Sequence, residues 1–359
     1  MNTMTDIHAA LLGLDHPHAI AHLRTLQTLP EVTSITLWDP DETLLRETVR
    51  EEGEKITATT TDLDSVLSQD RILFVVAALR NDLGPPIFTR ALEAGKHLIT
   101  DKPIGKTAVE SEQVAAVARR QQRKLGVFYQ NRALDPIRDA RSIVEQGLIG
   151  ELVSVEMRMV TTQVAVRNPQ HWLFDHGKSG GGILSWLGCH YIDQIMNVTQ
   201  DEIVSVAAQL ATRSGENIDV EDVAALSLGF ASGAVGTLHA GYMLSLSGSG
   251  YHNAAGYDTY VGVNGRLGRI TWSSNGTPTS IYVESSHPSW ASAPRRTFDY
   301  TFAESPAYAG KQGETFMRAF IDACLGNGEP MATGEDAVRV ARVVDAAYES
   351  NRSGRRVQI

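Results

Sequence analysis

Over its first 130 residues the chain alternates short apolar runs with amphipathic stretches, and near Gly150 that rhythm gives way to another. Residues 6–14 read as a buried strand, 17–29 as a helix and 32–38 as a second strand ending at Asp39, with a charged helix behind it. Residues 71–77 and 97–100 follow as strands with a helix at 84–94 between them. A helix at 106–123 and a strand at 125–129 close the series. Strands separated by helices need crossover connections, so they pair in parallel and are covered on both faces.

From residue 151 the period changes from runs to strict alternation. Residues 151–162 (ELVSVEMRMVTT) place apolar and polar side chains on opposite faces, as a half-exposed antiparallel strand does. Similar runs recur at 203–212, 223–230, 234–243, 257–263 and 269–273. One helix is expected at 182–198, and two more at 314–325 and 334–351, the last started by Thr333 as N-cap. A parallel α/β domain is therefore followed by an α+β domain built on an antiparallel sheet. Residues 248–256 (GSGYHNAAG) are the expected mobile loop.

Composition excludes several classes. The chain has 359 residues, enough for two domains, and a net charge of −10, which opposes a nucleic-acid surface or an anionic-membrane anchor. No run approaches the roughly 18 apolar residues of a membrane helix, and the N-terminus lacks a basic leader. Only Cys189 and Cys324 are present, which excludes a disulfide scaffold and a four-thiolate metal site. A cytoplasmic protein is expected.

A parallel sheet of this kind binds ligands beyond the carboxyl ends of its strands. The first strand-to-helix turn is Gly13-Leu14-Asp15-His16-Pro17-His18. A dinucleotide turn ordinarily carries three glycines, and only Gly13 is kept; His16 or His18 is expected to line the cofactor phosphates where glycines would normally sit, and Asp15 to contact the cofactor. Asp39 ends the second strand, where a carboxylate accepts from the adenosine ribose, and no basic residue follows to welcome a 2′-phosphate. NAD is favoured over NADP. His18 and His22 stand at i, i+4 spacing, but a metal site needs a third ligand that the local sequence does not offer, and none is expected.

The segment from Ala91 to Pro103 (ALEAGKHLITDKP) resembles the "AL.AGKHV..EKP" pattern of the glucose–fructose oxidoreductase / inositol dehydrogenase / MocA family. The resemblance continues through Gln130-Asn131-Arg132, Gly147 to Val153, Gly180 to Asp193, Gly334-Glu335-Asp336 and Ser350 to Gly354, in the family's order. It implies a Rossmann domain, 1–131, binding NAD(P). A substrate-binding α+β domain, 132–359, follows with a large open, mostly antiparallel sheet, and the C-terminal helices are free to pack back on the first domain. The family mostly oxidises a secondary alcohol of a sugar or cyclitol, or reduces the ketone. Homo-dimers or homo-tetramers through the C-terminal sheet are implied as well.

Residue by residue, the resemblance makes Lys102 and His190 catalytic. An ammonium at a Rossmann strand end can stabilise alkoxide character as hydride leaves, and an imidazole can carry the proton. Pro103 follows in a bond that is commonly cis in the family, and Asp101 replaces the family's Glu. Asn81 matches the Asn of "TPN..H", whose other members are absent here. Asp101, Lys102, Pro103, Asn81 and Asn131 join Gly13, Asp15, His16, His18 and Asp39 as expected cofactor contacts. Trp186 occupies the family's Asp position, so the usual Lys–Asp–His trio is reduced to two. On a regular helix Trp186, His190 and Asp193 share one face, and Asp193 can orient His190. Trp186 is either a wall for a pyranose face or core filling.

Arg132, Trp172 and Lys178 complete the expected substrate contacts. His171, Asp175 and His176 cluster with Trp172 and Lys178, and Arg167 and Lys178 are candidate partners of an anionic substituent. Cys189 is read as a packing residue. Three functions stay open: an NAD-dependent sugar, glycoside or cyclitol dehydrogenase; an NAD-bound enzyme that cleaves glycosides by transient oxidation, elimination and re-reduction; and a non-catalytic dinucleotide-binding regulator. NADH production, solvent deuterium at the carbon beside a transient ketone, and indifference to Lys102→Ala separate them.

Overall fold

The structure is a computed structural model that describes residues 6–246, 256–274 and 276–359. The loop expected to be mobile lies, apart from Gly256, outside the described residues. The chain divides into two compact units, residues 1–133 with 302–338 and residues 134–301 with 339–359.

In the first unit β1 (Ile7–Leu12), β2 (Val32–Trp38), β3 (Ile56–Thr60), β4 (Ile72–Ala77), β5 (His97–Thr100) and β6 (Leu125–Val127) pair in parallel. Their order is β3-β2-β1-β4-β5-β6. The connecting helices are α1 (Ala19–Thr28), α2 (Glu42–Glu52), α3 (Leu63–Leu67), α4 (Gly84–Glu93) and α5 (Ala108–Gln121). Strand order reverses between β1 and β4, which is where such a sheet opens a ligand crevice. Strand β3 and helix α3 escaped sequence analysis for physical reasons. β3 (ITATT) has no buried residue and pairs only at the sheet edge, so it lacks an apolar run, and α3 is too short to show a period.

The returning segment 302–338 belongs to this unit and carries α9 (Lys311–Cys324). Phe320 meets Phe74 of β4 edge-on at 5.6 Å between centroids, and Phe316 lies 4.9 Å from Phe128. Such aromatic pairs add about 1 kcal/mol each beyond the area they bury.

In the second unit α6 (Asp135–Glu145) is followed by β7 (Leu152–Thr162), a four-residue α7 (His176–Ser179) and α8 (Cys189–Thr199). Helix α6 opens on Asp-Pro, which reads as a turn in sequence, although Pro is compatible with a first helical turn. The strands are β8 (Ile203–Ala211), β9 (Val223–Phe230), β10 (Val235–Leu244), β11 (Tyr257–Gly265), β12 (Gly268–Ser274), β13 (Ser280–Ser285), β14 (Arg295–Asp299) and β15 (Val357–Gln358). Their order is β14-β13-β12-β11-β7-β10-β9-β8-β15.

One expectation needs correction: β7 is antiparallel to β11 but parallel to β10. Side-chain alternation has period two in either orientation, so the sequence could not tell them apart. The final helix, α10 (Gly334–Ser353), starts as expected. Thr333 Oγ1 accepts from Asp336 N while the Asp336 carboxylate accepts from Thr333 N, a reciprocal cap. Among the described residues no helix is long and apolar enough to cross a membrane.

Candidate functional site

Strands β1, β2, β4 and β5 end at Leu12, Trp38, Ala77 and Thr100, so Gly13, Asp39, Asn81 and Lys102 all follow carboxyl ends of one sheet. Gly13 turns with φ +90°, and a Cβ there would lie 2.4 Å from the carbonyl oxygen of Ala78. No other residue type fits that position without displacing backbone. The Asp39 carboxylate accepts from Leu14 N at 2.7 Å and from Asp41 N at 2.8 Å, tying the glycine turn to the end of β2. Burial pushes the Asp39 pKa up against those two bonds. Helix α1 has no acidic residue in its first turn, which suits an anion at its N-terminus. The glycine turn, the carboxylate beside it and this helix end fit a dinucleotide. Asp15 is exposed, whereas His16 and His18 are buried.

Those histidines belong to a network that the sequence did not show. Asp101 Oδ2 is 2.8 Å from His18 Nδ1 and 2.9 Å from His22 Nε2, and its Oδ1 accepts from Lys102 N at 2.8 Å. A carboxylate only accepts, so these ring nitrogens carry the protons and fix the tautomers. His16 Nδ1 accepts from His18 N at 3.2 Å. Tyr308, from the returning segment, packs on His18 at 4.6 Å, and Phe128 packs on His22 at 4.6 Å. Burial holds His16 well below, and His18 below, the usual imidazole range, against the pull of Asp101. For Asp101 burial acts upward, yet the surrounding histidines hold its pKa well below the ordinary value.

The carboxylate also bears on the metal question. His16, His18 and Asp101 bring ligand-type atoms within 4.8 Å of one another, so a third ligand type is available in space. Asp101 Oδ2 is nevertheless engaged by two imidazoles, which accounts for the cluster as a hydrogen-bond network. Lys102 follows directly, 1% exposed, with a cis bond to Pro103. Asn81 is buried too, and Asn131 lies in a short 3-10 turn, Gln130–Ala133.

Arg132, expected as a substrate contact, lies in the same turn and has partners within the first unit. Its Nη1 donates to Asp336 Oδ2 at 3.0 Å and to the Met331 carbonyl at 2.9 Å, joining the turn to the start of α10. An arginine beside a buried helix cap is drawn to the cap's carboxylate.

In the second unit the glycine-rich segment leads into the helix bearing His190. That helix is not regular. Leu184–Gly188 is a wide π-type segment, and α8 follows it. The expected common face of Trp186, His190 and Asp193 presumed 3.6 residues per turn, and the wider turn alters it. Trp186, His190 and Asp193 are all buried. Trp186 meets Trp172 edge-on at 6.0 Å, and Cys189 Sγ lies 3.6 Å from the Trp186 carbonyl.

The two candidate anion partners, Lys178 and Arg167, have partners within the second unit. Lys178 pairs with Asp175 at 2.7 Å in a half-exposed bridge. Arg167 donates to Thr161 Oγ1 at 2.6 Å and to the Thr162 carbonyl, with its guanidinium 5.4 Å from the Tyr242 ring. His171 Nδ1 accepts from Leu173 N, and His176 N donates to Asp219.

Sequence reasoning missed Glu221 and Tyr348. The buried Glu221 carboxylate accepts from Gly182 N at 2.8 Å, Leu184 N at 3.0 Å and the Tyr348 hydroxyl at 3.0 Å. Burial pushes the Glu221 pKa up, against these hydrogen bonds, and pushes the Tyr348 pKa well up. The available signal was the glycine pair itself. A Cβ on Gly181 would stand 1.9 Å from the Tyr348 hydroxyl, and one on Gly182 1.8 Å from the Glu221 carbonyl oxygen.

The strand order, the Gly13 turn and the strand-end Lys102 define a Rossmann-type dinucleotide-binding protein with an appended sheet domain. Residues 7–129 match the oxidoreductase family with an NAD-binding Rossmann fold, and residues 137–271 match the GFO/IDH/MocA C-terminal domain. The chain belongs to the Gfo/Idh/MocA family of oxidoreductases.

It is 28% identical over 221 residues to an oxidoreductase of Schizosaccharomyces pombe, covering 61% of this chain and 59% of that protein, less than two thirds of its length. It is 23% identical over 281 residues to the 1,5-anhydro-D-fructose reductase of Ensifer adhaerens, covering 77% of each. A levoglucosan dehydrogenase in complex with NADH and levoglucosan has the same fold, with TM-score 0.84, 22% identity and coverage of 99% of this chain and 100% of that one.

Proposed function

We propose that this protein oxidises a secondary hydroxyl of a sugar, glycoside or cyclitol, or reduces the corresponding ketone, by hydride exchange with NAD. The observation that carries this reading is the row of Gly13, Asp39, Asn81 and Lys102 beyond the carboxyl ends of one parallel sheet. The names of two of the similar proteins, a 1,5-anhydro-D-fructose reductase and a levoglucosan dehydrogenase, support it. Bound NAD supplies the hydride acceptor. Gly13 and the α1 N-terminus would receive the pyrophosphate and Asp39 the ribose.

Lys102 would donate a hydrogen bond to the reacting oxygen, and its charge favours alkoxide character as the C–H bond weakens. His190, an imidazole on a buried helix, would take the hydroxyl proton. Asp101 would keep the Lys102 backbone in place by accepting from its N–H. The same reading expects a homo-dimer or homo-tetramer through the nine-stranded sheet, which light scattering on a sizing column would check.

The test is NADH absorbance at 340 nm with levoglucosan, D-xylose, myo-inositol and a set of glycosides, after NAD binding has been established by calorimetry. NADH formation with any of them supports the reading. Bound NAD with no NADH from the whole panel overturns it. Trp186 at the family's Asp position favours a second reading, glycoside cleavage by oxidation, elimination and re-reduction. Turnover without net NADH, with solvent deuterium entering beside the transient ketone, would select it.

A further inference from the structure

We propose that Glu221, clamped by Tyr348, is a positioning residue for His190, fixing the start and the register of the helix that carries it. The proposal rests on the reading of His190 given above.

The first N–H groups of a helix have no partner within it. Here one residue from outside the helix serves three consecutive ones. Glu221 Oε2 accepts from Gly182 N at 2.8 Å, its backbone carbonyl from Ile183 N at 3.0 Å, and its Oε1 from Leu184 N at 3.0 Å. The N-cap Ile183 has no side chain able to do this. The carboxylate also lies against the positive end of the helix dipole.

Tyr348 of α10 donates to Oε1 at 3.0 Å and so limits where Glu221 can sit. The glycines complete the device, because any Cβ at Gly181 or Gly182 would occupy the space of the Tyr348 hydroxyl or the Glu221 carbonyl. Leu184 then carries the constraint forward. Its N–H is held by Glu221, and its carbonyl accepts from Cys189 N across the wide turn, directly before His190. Two hydrogen bonds thus connect the Glu221 carboxylate to the neighbour of the proposed catalytic imidazole. Wide turns of this type are rare and occur frequently at functional sites.

Glu221→Gln keeps the volume but replaces one accepting oxygen by a donor, and Tyr348→Phe removes only the hydroxyl. The proposal expects kcat on the active substrate to fall by ten- to a hundredfold on the order of magnitude of a misplaced catalytic group, with KM for that substrate and the Kd for NAD little changed. It also expects the His190 ring signals in a proton–nitrogen NMR titration, assigned by their loss in His190→Gln, to move in both variants while those of His16 and His18 stay. The NMR readout needs no substrate, so it decides the proposal even if the sugar panel fails the wild-type protein. If Glu221→Gln does not fold, Tyr348→Phe decides. Folded variants with unmoved His190 signals overturn the proposal, and so does a loss confined to thermal stability.

Discussion

Asp101 in the first unit and Glu221 in the second are buried carboxylates, each bonded to the backbone that presents a proposed catalytic side chain, but their surroundings differ. Asp101 faces two imidazole donors and the Lys102 N–H, and its pKa is held well below the ordinary value although burial opposes this. Glu221 faces two backbone N–H groups and a phenol, and burial prevails, so its pKa is pushed up. The difference shows that burial alone does not set the direction in which the pKa of a supporting carboxylate moves; the donors around it count as well. It also suits the proposed roles. Asp101 holds the Lys102 backbone through its N–H, whereas Glu221 caps the start of a helix and needs mainly acceptor geometry.

The sharpest way to break this comparison is through the side chains being supported. Lys102→Ala should lower kcat by about a thousandfold and His190→Gln by about a hundredfold, both read as NADH formation. Equal and small losses would remove the assignment of roles. Next in size is stability. Asp101→Asn removes the charge and turns one of two accepting oxygens into a donor facing buried donors, and should cost about 3 kcal/mol in urea unfolding, while Glu221→Gln should cost about 1 kcal/mol. A reversed order would mean that the helix cap, and not the histidine network, is the stronger support.

Gly13→Ala places a Cβ against the Ala78 carbonyl at φ +90°. It should destabilise the first unit by more than about 1 kcal/mol and weaken NAD binding in calorimetry. Unchanged affinity would detach the turn from the cofactor.

The smallest effect, and the finest test, is the response to pH. His16 and His18 have lowered pKa values in the folded chain, so the unfolded chain binds more protons below 6.5. Their contribution to stability is complete above 6.5 and is lost as pH falls toward the folded values. Asp101, also lowered, contributes above its ordinary value of 3.8 and loses that contribution on further acidification. Glu221 has the opposite sign. Its raised pKa contributes below 4.5 and is lost as pH rises through the folded value. Thermal melts from pH 4 to 8 should therefore show His18→Gln losing part of the acid sensitivity, and Glu221→Gln losing part of the opposing trend.

Much of the fold was legible because it rests on periodicity. Apolar runs gave the buried parallel strands, and alternation gave the half-exposed ones of the second unit. β3 was not legible, since an edge strand with no buried residue carries no such mark. Gly13, Asp39 and Lys102 could be picked out because each sits at a strand end that the pattern located. Tyr308, Glu221 and Tyr348 could not be, because nothing near them in the chain hints at what they touch. Tyr308 reaches histidines from the far end of the sequence, and Tyr348 meets Glu221 from a helix more than a hundred residues on.

The sequence by itself determined a parallel sheet with a glycine turn, a strand-end lysine and a second, alternating sheet, because local sterics and side-chain period are local properties. Tertiary structure alone decided which buried carboxylate meets imidazoles and which meets a helix end, and that Arg132 pairs with Asp336. It also decided that β7 runs parallel to β10 and that the helix before His190 widens. Charge state and hydrogen-bond partnership depend on groups brought together through space, and no spacing along the chain encodes them.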